Sequence, residues 1–151
     1  MSDLRDDPYP KADSLNLCVI EAGPHDVFLD LDTQEAFDGM WPRLRLLRER
    51  GLKIMLWHIR PSKSGLPKRH VYLKVPHVLN EYERIALQAV LGSDPVREAL
   101  AMARVGSEWP SSVFFEPHGF SLENPVGGEP TIDLAVPAFE PDCYEEPVEL
   151  L

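Results

Sequence analysis

The chain has few features of secreted, disulfide-stabilised or membrane-spanning proteins. Only Cys18 and Cys143 are present in 151 residues, and their separation fits neither a disulfide framework nor a zinc site. The longest apolar stretches, such as residues 54–57, are far too short to cross a bilayer. The N-terminus is acidic and unlike a signal peptide. We therefore expect a cytoplasmic protein with free thiols and no membrane partner.

Basic residues are absent from the end of the chain, and charge is segregated along it. Residues 1–39 carry 2 basic and 10 acidic residues, residues 40–105 carry 13 and 5, and residues 106–151 carry 0 and 10. The net charge of −10 therefore hides a basic centre. A basic centre suits a surface that binds phosphates. The arginines and lysine of residues 43–53 are equally compatible with the solvated face of a helix.

The length and the 44% of hydrophobic residues predict one domain with one core. Residues 1–16 are acidic, contain prolines and show little hydrophobic periodicity, which predicts a flexible arm. Residues 17–115 form the predicted core. Residues 116–151 form an acidic, proline-rich C-terminal extension.

Hydrophobic periodicity and turn residues predict the order strand, helix, strand, loop, strand, helix, helix. The predicted elements are a strand over 27–32, a helix ending near Arg50 with a break or kink at Gly39 or Pro42, strands over 52–59 and 69–75, helices over 81–91 and 94–105, and short strands over 113–115 and 131–136. Asp32 or Thr33 is expected to cap the first helix. The order predicts an α/β (α+β) domain with a mixed, mainly antiparallel sheet. Helices would cover one face, and the other face would be open and polar.

Asp30 and Asp32 form a candidate metal site. In a strand, residues two apart project from the same face, so both carboxylates share one side while Leu29 and Leu31 point into the core. Two like charges at this distance are destabilising unless a cation neutralises them, and Mg²⁺ or Mn²⁺ prefers such oxygen ligands. The alternative is that the pair ends a strand and caps the next helix.

His70 is placed on the same open face by the alternation of the later strand, in which Val71, Leu73 and Val75 point the other way. A loop rich in serine and lysine precedes that strand. Convergence of His70 with Asp30 and Asp32 below this loop predicts a platform for a nucleotide.

Three segments in this order, FLDLD, SKSGLPKRHVYL and GSDPVREALAMARV, resemble the archaeo-eukaryotic primase and primase-polymerase superfamily in the small form found in phage and plasmid replication modules. The resemblance covers roughly residues 26–105, and its combined order is more specific than any single segment. It implies an RRM-like catalytic core. Two departures are visible: Lys68 stands where a small hydroxyl residue is usual, and Asp94 precedes a proline in a context that also suits a helix cap.

The resemblance implies a role for ten residues. The implied catalytic metal ligands are Asp30, Asp32 and Asp94, and the implied nucleotide-binding residues are His70, Ser64, Gly65, Lys63, Lys68, Arg69 and Arg104. Arg69 alternates to the face opposite Lys68 and His70, which weakens its assignment.

The expected activity is that of a DNA primase or polymerase, a metal-dependent nucleotidyltransferase that transfers a phosphoryl group to a 3′-hydroxyl. The expected partners are nucleoside triphosphates, a single-stranded DNA template bound by the basic central segment, and a replication protein bound by the acidic C-terminal extension. A solubilising tail is the alternative for that extension. A non-catalytic module that binds nucleic acid or nucleotide is the alternative for the whole chain, and a metal-dependent nuclease is a third.

Overall fold

The computed structural model of the protein describes residues 7–123, which form four helices and two antiparallel sheets. In chain order the elements are α1 (Tyr9–Ser14), β1 (Cys18–Glu21), β2 (Asp26–Leu31), α2 (Gln34–Glu49), β3 (Met55–Pro61), β4 (Arg69–Lys74), α3 (Glu81–Val90), α4 (Pro95–Arg104) and β5 (Val113–Glu116). The predicted mixed α+β class is confirmed. The strand predicted over 131–136 lies outside the described residues.

The larger sheet has the strand order β2-β4-β3, with β4 antiparallel to both neighbours. The register places Asp30 directly opposite His70 and places Arg60 opposite His70 on the other side. Directly opposed residues project from the same face of a sheet. Asp30, His70 and Arg60 therefore share one face.

The other face of this sheet packs against α2 and forms the main core with Leu29, Leu31, Trp41 and their neighbours. Thr33 caps α2, since its Oγ1 accepts a hydrogen bond of 3.0 Å from the Ala36 N–H. The break or kink predicted near Pro42 does not divide the helix, which is continuous from Gln34 to Glu49. Burial of its apolar stripe stabilises a helix more than a single exposed proline destabilises it.

The face that carries His70 is not open, and this part of the prediction is wrong. The sheet formed by β1 and β5 covers it, and Phe114 stacks on Phe28 with ring centroids 5.2 Å apart. Phe28 and Tyr72 are fully buried as a result. Two large aromatic side chains on one face require an apolar cover. The core also continues past residue 115, because Glu116 and Phe120 are both buried.

Residues of α3 and of the connection between α3 and α4 cover the outer edge of β2. The Phe28 N–H donates to Gln88 Oε1 at 2.9 Å, and the Asp30 N–H donates to Ser93 Oγ at 3.0 Å. The Asp94 N–H donates to the Asp30 carbonyl at 2.8 Å. These hydrogen bonds satisfy backbone groups of an edge strand, which would otherwise be free to pair with another chain. They also fix the start of α4 beside Asp30.

The N-terminal segment differs from the flexible arm predicted over residues 1–16. Residues 9–14 form α1, which contacts β1 and buries Ala12. Residues 1–6 lie outside the described part of the chain. None of the four helices within residues 7–123 combines the length and apolarity needed to span a bilayer.

Candidate functional site

A cleft of about 580 Å³ lies where the end of β2 and the start of β4 meet α4 and β5. Residues from the β3–β4 loop and from the segment before and within α1 complete its walls. Eight of the ten residues predicted for the site line this one cleft: Asp30, Asp32, Lys63, Ser64, Lys68, His70, Asp94 and Arg104. The exceptions are Gly65 and Arg69.

The carboxylates of Asp30 and Asp32 both line the cleft and are partly exposed. Thr33 rather than Asp32 provides the cap of α2, so helix capping does not account for Asp32. Within residues 7–123, neither carboxylate accepts a hydrogen bond. Their oxygens are therefore available to a ligand that enters the cleft.

Asp94 combines the two roles that the sequence left open. It caps α4, since Oδ2 accepts a hydrogen bond of 3.2 Å from the Arg97 N–H, and its side chain also lines the cleft. The hydrogen bond from its N–H to the Asp30 carbonyl holds the two residues together. Capping uses one oxygen and leaves the second available to the cleft.

The donor set suits a hard cation that binds few protein ligands. In the described part of the chain, no group of three or more acidic, histidine or cysteine side chains is close enough to hold one ion. Mg²⁺ is usually bound by one or two carboxylates, with waters and substrate phosphates completing its octahedron. Asp30 and Asp32 are two carboxylates that line the same cleft, and Asp94 is a third.

Burial raises the pKa of Asp30, because an ionised carboxylate loses hydration in the cleft. His70 and Arg97 oppose this rise by favouring the charged form, whereas Asp32 and Asp94 add to it as like charges. The folded chain thus holds an acidic group that is costly to ionise without a cation. Such a group is typical of functional sites.

Asp30→Asn should stabilise the metal-free protein at neutral pH. Because the pKa of Asp30 is raised on folding, the folded state binds the proton more tightly than the unfolded state, so stability falls as pH rises from about 3.9 through the raised pKa. The neutral amide removes this loss. Urea unfolding at several pH values should show an advantage of the variant at neutral pH that disappears in acid, and an advantage independent of pH would contradict this explanation.

His70 is held firmly at the edge of the cleft. Its ring stacks on Phe114 with centroids 3.8 Å apart and planes within 4° of parallel. Its Nδ1 lies 3.1 Å from Oε2 of Glu116. Because Nδ1 is engaged, Nε2 is the ring nitrogen that remains for a ligand.

The β3–β4 loop carries Lys63, Ser64 and Lys68 along the rim of the cleft. The loop is closed by a hydrogen bond of 2.9 Å from the Ser62 N–H to the Lys68 carbonyl. Gly65 has a φ of 80°, a conformation that favours glycine, and its N–H donates to the Ser62 carbonyl at 2.8 Å. Gly65 therefore shapes the loop and does not itself line the cleft.

The structure removes Arg69 from the predicted phosphate-binding set. Its side chain is buried on the opposite face, where the guanidinium lies 4.1 Å from the Phe37 ring centroid and donates to Gln34 Oε1 at 2.9 Å. Strand alternation is the physical reason, since Arg69 and His70 are neighbours and must point to opposite faces.

Arg97 is a cleft residue that the sequence did not identify. Its guanidinium lies 4.5 Å from the Phe114 ring centroid, and Nη1 donates to the Phe28 carbonyl at 3.1 Å. Its position three residues after Asp94, in the first turn of a predicted helix, was the available signal. Lys11 also lines the cleft and had no such signal, because residues 1–16 were expected to be a flexible arm.

The basic centre of the sequence is divided between two faces of the sheet. Lys63, Lys68 and Arg104 line the cleft, whereas the basic residues at positions 43–53 lie on or just after α2, which packs on the opposite face. A single flat basic surface therefore does not form. A phosphate in the cleft and a polyanion on α2 would therefore contact different groups of basic residues.

The chain matches no protein-family model, no curated protein and no solved structure. Similarity to a characterised protein therefore does not identify the ligand of the cleft. The chemistry of the residues that line it is the basis on which a function can be inferred.

Proposed function

We propose that the protein is a metal-dependent nucleotidyltransferase of the primase-polymerase type, which uses Mg²⁺ or Mn²⁺ and nucleoside triphosphates. The observation that supports this most strongly is the meeting of the three predicted carboxylates, one imidazole and a loop bearing lysines in a single cleft. The ordered resemblance of the FLDLD, SKSGLPKRHVYL and GSDPVREALAMARV segments to that superfamily gives independent support.

Asp30 and Asp32 would hold the divalent ions at the end of β2, with Asp94 as an additional ligand. Divalent ions held there would supply a lower pKa for the attacking 3′-hydroxyl and charge stabilisation for the departing pyrophosphate. The hydrogen bond from the Asp94 N–H to the Asp30 carbonyl joins the two segments that carry these carboxylates. Fixed ligands are what in-line transfer requires.

The phosphates would contact the histidine, serine and basic side chains that also line the cleft. His70 presents one ring nitrogen, Ser64 offers a hydroxyl, and Lys63 and Lys68 provide positive charge at the rim. Arg104 adds a further guanidinium on the side of α4. The volume of about 580 Å³ is within the range of small-molecule sites and suits one nucleotide.

We also propose a DNA template and a protein partner for this activity. A single-stranded DNA template would follow the positive charge of residues 40–105, part of which lies at the cleft and part on α2. The acidic extension after residue 123 lies outside the described residues and is the proposed contact for a replication protein. The proposed location is the cytoplasm.

The direct test is extension of a labelled primer on a single-stranded template with purified full-length protein, Mn²⁺ and nucleoside triphosphates. Longer products that require both metal and triphosphates are expected. Shortening of the labelled strand would instead indicate a nuclease. No change in length under any combination of ribonucleotides, deoxyribonucleotides and the two metals would contradict the proposal.

A non-catalytic binding module is the second candidate, favoured by the lack of a three-ligand group within residues 7–123. Such a module would bind a nucleoside triphosphate in the same cleft without transferring it. Calorimetric binding that is indifferent to metal and to changes at Asp30 and Asp32, together with no primer extension, would favour the module.

A further inference from the structure

Glu116 lies behind the cleft and is bonded to residues of two neighbouring strands. It comes from β5, is 1% exposed, and accepts a hydrogen bond at Oε2 from the hydroxyl of Tyr72. The same Oε2 lies 3.1 Å from Nδ1 of His70, and Oε1 lies 3.6 Å from Nε of Arg60. Both carboxylate oxygens are thus directed at side chains of β3 and β4.

The direction of these hydrogen bonds determines the state of His70. Burial raises the pKa of Tyr72 well above its usual range, so its hydroxyl keeps the hydrogen and donates it. A carboxylate beside an arginine is an acceptor only. The His70 Nδ1 must therefore carry a hydrogen and donate it to Glu116, which leaves Nε2 as the ring nitrogen that can accept.

The ring of His70 is restrained in rotation as well as in tautomer. Phe114 stacks against one ring face at 3.8 Å, and Asp30 occupies the directly opposed position on β2. Phe114 and Glu116 are two residues apart on β5, so both side chains project toward the larger sheet. One strand of the second sheet therefore supplies both the stacking partner and the hydrogen-bond acceptor of His70.

We infer that Glu116 is a positioning residue, which holds His70 in the Nδ1–H tautomer and directs Nε2 toward a phosphate in the cleft. The identity of the ligand as a phosphate rests on the proposed function, whereas the tautomer and orientation of the ring do not. A residue that accepts a hydrogen bond from one ring nitrogen of a histidine commonly fixes the tautomer and the orientation of the ring.

The experiment compares Glu116→Gln with the wild type in the full chain, with inorganic tripolyphosphate as the probe in calorimetry. The substitution keeps the size of the side chain and removes its charge, and the variant should bind the probe about tenfold more weakly. In a His70→Ala background, the same change should have no further effect beyond about twofold, because Glu116 acts through His70. An equal loss in both backgrounds, or no loss in either, would overturn the inference.

Tyr72→Phe is the matched control, since it removes the other hydrogen bond to Oε2 and leaves His70 Nδ1 in place. It should retain the affinity of the wild type for tripolyphosphate, and a loss equal to that of Glu116→Gln would indicate a general effect on packing and overturn the inference. Its folding can be checked by thermal unfolding before binding is measured.

Nitrogen NMR of the imidazole separates this inference from the proposed function. The wild-type His70 should show a hydrogen on Nδ1, and Glu116→Gln should shift the ring toward a mixture of tautomers. A bare Nδ1 in the wild type would overturn the inference whatever the binding data show. A protonated Nδ1 with no tripolyphosphate binding would support the positioning of the ring and contradict the proposed function instead.

Discussion

Asp30→Asn and Asp32→Asn should each lower metal-dependent nucleotide transfer about a thousandfold, because loss of one ligand removes several kcal/mol of stabilisation from the transition state. Each change replaces a charged oxygen by an amide of the same size. Asp30 is the more informative position, since its burial makes the metal-free carboxylate costly and the amide should not harm folding. Primer extension with Mn²⁺ measures the rate, and circular dichroism verifies the fold.

Asp38→Asn is the matched control for these two variants. Asp38 is an exposed carboxylate of α2, accepts a hydrogen bond from Gln34 that an amide oxygen can also accept, and does not line the cleft. It should retain the wild-type rate. Activity that survives at Asp30 and Asp32 but depends on a carboxylate outside the cleft would show that the cleft is not where transfer occurs.

Phe28→Ala should lower the free energy of unfolding by about 3–5 kcal/mol, a large part of the stability of a domain this size. Phe28 is fully buried between the two sheets, where it packs edge-on against Tyr72 at 4.9 Å and stacks on Phe114. Truncation leaves a cavity that rigid strands on both sides cannot close. Urea unfolding monitored by fluorescence measures the loss.

Phe115→Ala provides the comparison, because Phe115 is the next residue on β5 after Phe114 and is only half-buried. Its truncation should cost less than about 2 kcal/mol. The difference between the two variants tests whether β5 covers the His70 face. A loss at Phe28 no greater than that at Phe115 would mean that this face is open in solution.

The elements that the sequence predicted well are those with local periodicity. Strand alternation correctly placed Asp30 and His70 on one face, and the helix predicted over 81–91 is present as α3. Asp94 caps α4 as expected. These features depend on residues close in sequence, so no knowledge of the tertiary fold was needed to infer them.

The elements that the sequence missed depend on distant contacts. β1 is four residues long and is stabilised by pairing with β5 nearly a hundred positions later, as in the pair Cys18 with Glu116. Strand alternation shows which face a side chain occupies but not what covers that face. The covered face and the positioning role inferred for Glu116 therefore required the structure.

The site residues also differ in whether local sequence or tertiary packing determines their position. Arg69 could have been excluded from alternation alone, because it neighbours His70 on one strand. Arg97 had only its spacing from Asp94 as a signal, and Lys11 could not have been placed, since its position depends on how α1 docks beside the sheet. Side chains brought together by tertiary packing leave no periodic signal in the sequence.

The proposed function depends on Asp30 and Asp32 holding divalent cations in the cleft. The most direct measurement is anomalous X-ray diffraction from crystals grown with Mn²⁺ and a non-hydrolysable nucleoside triphosphate. We expect manganese peaks in contact with the oxygens of Asp30 and Asp32, with the triphosphate extending toward His70 and Lys68. Well-ordered nucleotide in the cleft without manganese at those carboxylates, or manganese bound only elsewhere, would contradict it.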